Sequence, residues 1–238
     1  MNLVWELIKE TKSKNKRDKK QTRLPKRAAI TNTIFKLILD EPRPKHFNLQ
    51  GYYRFLLCCT LLYATGIRIN EVAKLSKTQI LELIDKKATT IYLSKSNKYH
   101  TIVIAQTHQH LLSSDMFRYY IDSLLQNEND IILHCKSIKT FNDWFNKKLT
   151  FILKRIAARE SDDLLTSQIE HLSSHSFRIG RVTRLLKSDI ERGKSAMAAE
   201  NVQVIMGHQS VQTTLAYRRA NVLDEALIQE LEHIENDE

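Results

Sequence analysis

Four short stretches of this chain carry residue types that can act together on an anion. In "ATGIRINEV" (64–72), Arg68 follows a Thr-Gly turn, and Glu71 stands three positions on, within helical reach of the guanidinium. The planar fork of an arginine matches phosphate oxygens, so an arginine fixed at a helix end reads as an anion clamp; the plain alternative is a surface ion pair. In "SSHSFRIGRVTRLL" (173–186), Ser173 or Ser174 can cap a helix whose first turn places His175 and Arg178 on one face, beside backbone N–H groups that favour negative charge. Phe177, Ile179, Val182, Leu185 and Leu186 point to other sides of that helix and read as packing. In "GHQSVQTTLAY" (207–217), a Gly-His pair precedes Ser210, Thr213 and Thr214, any of which can cap a helix, and Tyr217 follows His208 by nine residues. Lys95 and Lys98 stand in "LSKSNKY", between two β-branched and aromatic runs, at the tip of a hairpin. Each signal has a structural explanation when taken singly. Tyrosines in helices mostly pack, and lysines at hairpin tips mostly face water.

Other reactive residue types read as structural. His108 and His110 form an H-x-H without a Cys, Asp or further His at ligand spacing, so no metal site is expected there. Cys58 and Cys59 lie in an apolar run with no basic neighbour and read as packing. Three cysteines do not make a disulfide framework, which points to a reducing, intracellular setting. The run "FLLCCTLLYA" (55–64) is too short to span a bilayer and reads as a buried helix, so no membrane association is expected.

The elements that must position these residues follow from period. "AAITNTIFKLILD" repeats apolar residues at helical spacing (Ile30, Ile34, Leu37, Ile38), with Thr31 or Thr33 as cap. A second helix covers roughly 48–64 and stops at Gly66; a short helix, "INEVAKL", follows the turn. "TTIYLSKSNKYHTIVIA" then reads as an antiparallel hairpin, and most of the chain after 106 as helix, with "DIILH" (130–134) a possible strand. In "IKTFNDWFNKKLTFILKRIA", Ile138, Phe141, Phe145, Leu149, Phe151 and Ile152 recur at near-helical steps. The expected fold is mainly α with a small antiparallel sheet, an α+β class, in one domain.

Charge is concentrated rather than spread. The net charge is +10, and residues 11–27 alone supply +8 through Lys12, Lys14, Lys16, Arg17, Lys19, Lys20, Arg23, Lys26 and Arg27 against a single Asp. A flexible basic arm (1–27) on a nearly balanced body (28–238) suggests a polyanion partner; a solvated tail without specific contacts is the bland alternative. Glu6 and Glu10 argue against a transit peptide. Beyond Tyr217, Val222, Leu223, Ala226, Leu227, Leu231 and Ile234 make one apolar stripe on a charged helix (222–235), and such a stripe must be buried against something.

In combination and order, Arg in "ATGIRINEV", Lys at a hairpin tip, H-x-x-R in "HSFR" and G-H followed by Tyr resemble the tyrosine recombinases, the phage-type integrases, from about residue 28 onward. The resemblance implies their catalytic-domain fold, with Arg68, Lys95, His175, Arg178, His208 and the nucleophile Tyr217 as the catalytic set, Glu71 in support and Lys98 as the alternative to Lys95. It further implies double-stranded DNA as partner, a homo-tetramer on two DNA sites, cleavage and rejoining through a 3′-phosphotyrosine, and neither metal, cofactor nor small-molecule substrate. The implied location is the cytoplasm, at the nucleoid of a prokaryote or with a mobile element; the many Lys, Ile and Asn residues leave an organelle such as a plastid as the alternative. Rival readings are a type IB topoisomerase or telomere resolvase, a DNA-binding regulator that has lost catalysis, and a protein-interaction module. Two features depart from the pattern. Thirty residues separate Arg178 from His208, so "ERGKSAMAA" (191–199) reads as an insertion, and only the basic arm stands where relatives carry an upstream clamping domain.

Overall fold

A computed structural model of the chain describes residues 28–124, 137–161, 163–187 and 197–216. The fold is built around its most apolar run. Thr31 caps α1 (Asn32–Asp40) by accepting from the Ile34 N–H, and Asn48 caps α2 (Leu49–Thr65) by accepting from the Gly51 N–H at 2.6 Å. Twelve of the seventeen α2 residues are buried, because a helix that is apolar on every side can only sit inside. Gly66 ends α2 in the left-handed region (φ 68°), which lets the chain reverse at once into the short α3 (Ile69–Val72).

Ser76 opens α4 (Lys77–Lys86) with a capping box: its hydroxyl accepts from the Gln79 N–H while the Gln79 side chain accepts from the Ser76 N–H. Strands β1 (Ala88–Leu93) and β2 (Lys98–Val103) pair antiparallel, with Ile91 opposite His100 and Leu93 opposite Lys98. Thr89, Ile91 and Leu93 on one strand and His100 and Ile102 on the other face the body, as period-two alternation requires. Helices α5 (Gln106–Leu112), α6 (Asp115–Leu124), α7 (Ile138–Glu160) and α8 (Asp163–Gln168) follow, then α9 (Ser174–Leu186) and α10 (Ala199–Met206), and residues 211–216 are helical. Among the described residues the architecture is mainly α with one two-stranded antiparallel sheet, as the sequence pattern predicts.

Helix α7 shows how a stripe chooses its side. Phe141, Phe145, Leu149, Ile152 and Ile156 are fully buried, at steps of three and four. Ile138 and Phe151 do not join them. Phe151 lies two positions from Leu149, on another face, where its ring meets His46 and Phe47 near the surface. Phe145 packs against Phe55 of α2 and Phe177 of α9, so one aromatic joins three helices. Helix α9 is also gripped from the other side. The Ile30 N–H donates to the Ser176 carbonyl at 3.0 Å, and a Cβ on Gly180 would stand 2.2 Å from the Ile30 carbonyl oxygen. Only glycine allows that approach.

One polar tie has no signal in the sequence. Glu41, at the end of α1, is buried and accepts from Arg155 at 2.8 Å and from Arg159, both on α7, while Tyr52 donates to its backbone carbonyl. The carboxylate ties α1 to α7 across more than a hundred residues of sequence, and the backbone carbonyl of the same residue ties in α2 through Tyr52. The "DIILH" run, the basic arm 1–27, Tyr217 and the 222–235 stripe lie outside the described residues. Of the segment 191–199, residues 197–199 are described and lead into α10, where Val202 and Met206 pack with Val182 and Leu186 of α9 as a second small core. Among the described residues no helix is long and apolar enough to cross a membrane.

Candidate active site

Two glycine turns face one another. Gly66 carries the chain from α2 to Arg68, and Gly207, also left-handed (φ 61°), carries it from α10 to His208. Arg178 on α9 bridges them. Buried to 3% exposure, its Nη1 donates to the Gly66 carbonyl at 2.8 Å and its Nη2 to the Met206 carbonyl at 2.9 Å. The fork of a guanidinium suits this task, because two nitrogens on one rigid plane can address two separated acceptors. Residues 112 and 28 positions away in sequence are thereby fixed to one side chain. A Cβ on Gly66 would meet Met206 Cε at 2.7 Å and Arg181 Cγ at 2.8 Å, so the turn is closely packed as well as hydrogen-bonded.

The N-terminus of α9 is held independently. The Ser173 N–H donates to the Ser176 hydroxyl at 3.0 Å, and the Ser174 N–H donates to Asn146 Oδ1 of α7 at 2.8 Å. The Asn146 amide in turn donates to the Asn142 side chain at 2.7 Å. His175, half-buried, follows directly, so an asparagine pair on α7 sets the height of His175 and Arg178. Sequence reading missed Asn142 and Asn146, which stand on a helix far along the chain with nothing local to mark them.

His208 is 5% exposed. Its N–H donates to the Gln203 carbonyl at 3.0 Å, its carbonyl accepts from the Gln203 side chain, and its ring Nδ1 lies 2.8 Å from the Thr214 hydroxyl. Burial, then the guanidinium groups of Arg178 and Arg68 and the nearby His175, hold its pKa down at about 3. The imidazole is therefore neutral at physiological pH. The same causes place Arg178, Arg68 and His175 close enough to act on His208. Ser210 is the cap used for the helical residues 211–216, its hydroxyl meeting the Thr213 N–H at 3.4 Å. Thr214 serves the histidine instead.

Arg68 is a third exposed and lies 3.9 Å from Glu71, an electrostatic pairing rather than a hydrogen bond. Glu71 itself is buried at 3% exposure. Burial raises its pKa, and the guanidinium of Arg68, its own backbone N–H and then Arg178 oppose that shift. Lys95 is exposed in the hairpin turn, and Lys98 is exposed at the start of β2. The turn between the strands bends through Asn97 (φ 52°), and Lys74, absent from the sequence-based set, donates to Ser94 at 2.7 Å. The structure thus brings Arg68, Glu71, His175, Arg178 and His208 together and leaves both lysines exposed on the hairpin. Tyr217 follows the last described residue, Ala216.

The remaining sequence candidates lie in the core or at the surface. Cys58 and Cys59 are fully buried in α2, and His110 is exposed on α5. His108 is half-buried, edge-on to Tyr63, and burial with Arg181 and Arg184 nearby lowers its pKa to about 4. Among the described residues no group of three or more His, Cys, Asp or Glu side chains is placed to hold a metal ion. Arg184 lies 3.8 Å over the Tyr63 ring and donates to the Tyr63 carbonyl at 2.9 Å, which makes it a packing cation.

The two depressed histidines have a consequence for stability. Each is neutral when folded and titrates near 6.5 when unfolded, so the unfolded chain binds more protons as pH falls. Their contribution is complete above about pH 6.5 and is lost as the pH drops towards 4 and 3. The melting temperature is expected to fall by roughly 3 °C or more between pH 7 and pH 5. His108→Phe should flatten that fall, whereas an unchanged slope in the variant would show that His108 titrates normally.

Comparison with known proteins identifies the family and the fold. The model of the family described as the phage integrase family matches residues 35–223. Tyrosine recombinase XerC of Rickettsia bellii (strain OSU 85-389) is 26% identical over 165 residues, 68% of this chain and 46% of that protein. Two solved structures share the fold. XerH site-specific recombinase bound to palindromic difH substrate, a post-cleavage complex, gives a TM-score of 0.55 at 18% identity over 87% of this chain and 54% of that one. XerA recombinase gives 0.53 at 16% identity over 85% and 65%. The chain spans less than two thirds of the length of each of these relatives. With the family pattern running from α1 through the Arg68 turn, the hairpin, α9 and the His208 turn, the chain belongs to the phage integrase family.

Proposed function

We propose that this chain is a site-specific DNA recombinase that cuts and rejoins strands through a 3′-phosphotyrosine. The observation that carries the reading is Arg178, which ties the turn bearing Arg68 to the turn bearing His208 and so concentrates fixed donors at one point. During attack on a phosphodiester, negative charge builds on the two non-bridging oxygens. Arg68, Arg178 and neutral His208 hold those oxygens, and donors fixed in advance need no reorganisation as the charge develops. A Thr214 hydroxyl that donates to Nδ1 leaves the His208 proton on Nε2, where it serves as a donor.

Tyr217 attacks the phosphorus in line, forming the Tyr–O–P bond as the bond to the 5′-oxygen breaks. His175 accepts or relays the phenolic proton, and Lys95, with Lys98 as its alternative, protonates the departing 5′-oxygen. The 5′-hydroxyl of another strand reverses the step and reseals the backbone. The XerH complex is described as bound to its difH substrate, which supports duplex DNA as the partner here. In this reading residues 28–238 form the catalytic domain. The arm at 11–27 holds the duplex backbone, and the 222–235 stripe docks on a neighbouring copy to build a tetramer on two sites.

A duplex cut from the DNA flanking the chain's own gene, nicked so that the freed 5′ fragment diffuses away, tests the chemistry. An active recombinase becomes covalently attached to it. Binding without an adduct identifies a regulator that has lost catalysis, and no binding identifies an interaction module. The same duplex tests the arm and the stripe. Deleting residues 11–27 is expected to flatten the dependence of log affinity on log salt by about 0.9 for each phosphate the arm neutralises. Leu227→Asp with Leu231→Asp is expected to leave binding intact but prevent two duplexes from sedimenting together. Equal salt slopes, or unaltered pairing, would remove the arm or the stripe from the mechanism.

A further inference from the structure

His100 takes no part in the proposed chemistry, yet it joins two parts of the site. It is the inward-facing residue of β2 nearest the hairpin tip that is partly buried; Lys98, two positions before it, is exposed. Its ring Nε2 lies 3.1 Å from the Ile205 carbonyl, across 105 residues of sequence. A carbonyl only accepts, so Nε2 carries the proton and donates. The ring also lies against the His208 turn. A Cβ on Gly207 would meet His100 Cδ2 and Cε1 at 3.3 Å and Leu93 Cδ1 at 2.9 Å. Gly207 is thus packed closely against two inward-facing hairpin residues, and one of them holds the end of α10 by hydrogen bond. The tip carrying Lys95 begins directly after Leu93, where the Ser96 N–H donates to the Leu93 carbonyl.

We infer that His100 is a positioning residue for proton delivery, fixing the lysine-bearing hairpin to the Gly207–His208 turn so that the leaving-group acid and the oxyanion donors keep one spacing. The inference rests on the proposed role of a hairpin lysine as the acid. The physical reason is lever length. Lys95 and Lys98 are exposed and lie at or beside a four-residue turn, so the strand pair beneath must be anchored if a flexible ammonium is to meet one oxygen. The anchor on the α10 side is the hydrogen bond from His100, and the ring contact with Gly207 sets its depth.

The test separates proton delivery from the rest of the site by changing one atom of DNA. A bridging 5′-oxygen leaves with a proton from the acid; a bridging 5′-sulfur leaves as a thiolate and needs none. Single-turnover cleavage is measured on both forms of the nicked duplex. His100→Asn keeps an amide but ends about one bond short of Nε2, and it is expected to slow the oxygen substrate roughly ten- to a hundredfold. The sulfur substrate should be cleaved within a few-fold of the parent protein. His100→Gln places an amide N–H where Nε2 stood and is expected to retain most of the rate on both. Thermal melts of the two variants identify any loss that is only unfolding, and the Gln variant keeps the comparison if the Asn variant does not fold.

Lys95→Ala and Lys98→Ala are run beside them. If sulfur rescues either lysine variant but leaves His100→Asn equally slow on both substrates, His100 does not act through proton delivery and the inference fails while the acid stands. An unslowed His100→Asn overturns it too. If sulfur rescues neither lysine variant, the acid assignment itself falls and the inference with it.

Discussion

Tyr217→Phe is expected to abolish the covalent protein–DNA adduct completely while leaving folding and duplex affinity at the parent level. The substitution removes one oxygen. If that oxygen is the nucleophile, no other change in the site can form the Tyr–O–P bond, so the loss is total rather than graded. Tyr217 follows the helical residues 211–216 and stands three residues after Thr214, which contacts His208. Gel separation of protein–DNA adducts on the nicked duplex reads the result directly. An adduct formed by the Phe variant would move the nucleophile elsewhere in the chain.

The second large effect belongs to Arg178. Arg178→Lys keeps the charge but cannot reach both the Gly66 and the Met206 carbonyls, because an ammonium is a single point on a flexible stem. Single-turnover cleavage is expected to fall by at least about a hundredfold, the loss typical of one preorganised oxyanion donor. The protein should also lose stability, on the order of 2 kcal/mol, since a carbonyl inside the fold is left without its charged donor. Arg68→Lys provides the contrast. Arg68 is a third exposed and pairs only loosely with Glu71, so it should lose a similar rate with little change in melting temperature. Equal melts for the two variants would reduce Arg178 to a surface-like role, and cleavage within a few-fold of the parent in both would make the arginines structural.

Much of this site was legible along the chain itself. Gly66 was visible as a helix stop and adopts the left-handed backbone that such stops use; Gly207, legible only as part of a turn, ends α10 in the same way. The caps were visible as short choices, Thr31 or Thr33, Ser173 or Ser174, and Ser210, Thr213 or Thr214; the fold uses the Thr31 and Ser210 hydroxyls and puts Ser173 at the cap position of α9. The hairpin was visible from its alternation, and its strands fall where the β-branched runs stand. These are short-range statements, decided by side chains a few positions apart, and a sequence states them openly.

What the sequence by itself determined, then, was the set of elements and the order of reactive residues along them, since periodicity, capping and turn chemistry act within a few residues. Only the tertiary structure decided that Arg178 spends its fork on two backbone carbonyls, that Thr214 turns from helix cap to partner of His208, and that the Asn142–Asn146 pair and His100 brace the site. It also set Glu41 between Arg155 and Arg159, and drew Phe151 away from the buried face of α7. A hydrogen bond depends on where two groups stand to within a few tenths of an ångström. For partners 28 to 118 residues apart, that separation is fixed by how α1, α2, α7, α9 and the hairpin pack, and no local spacing carries it.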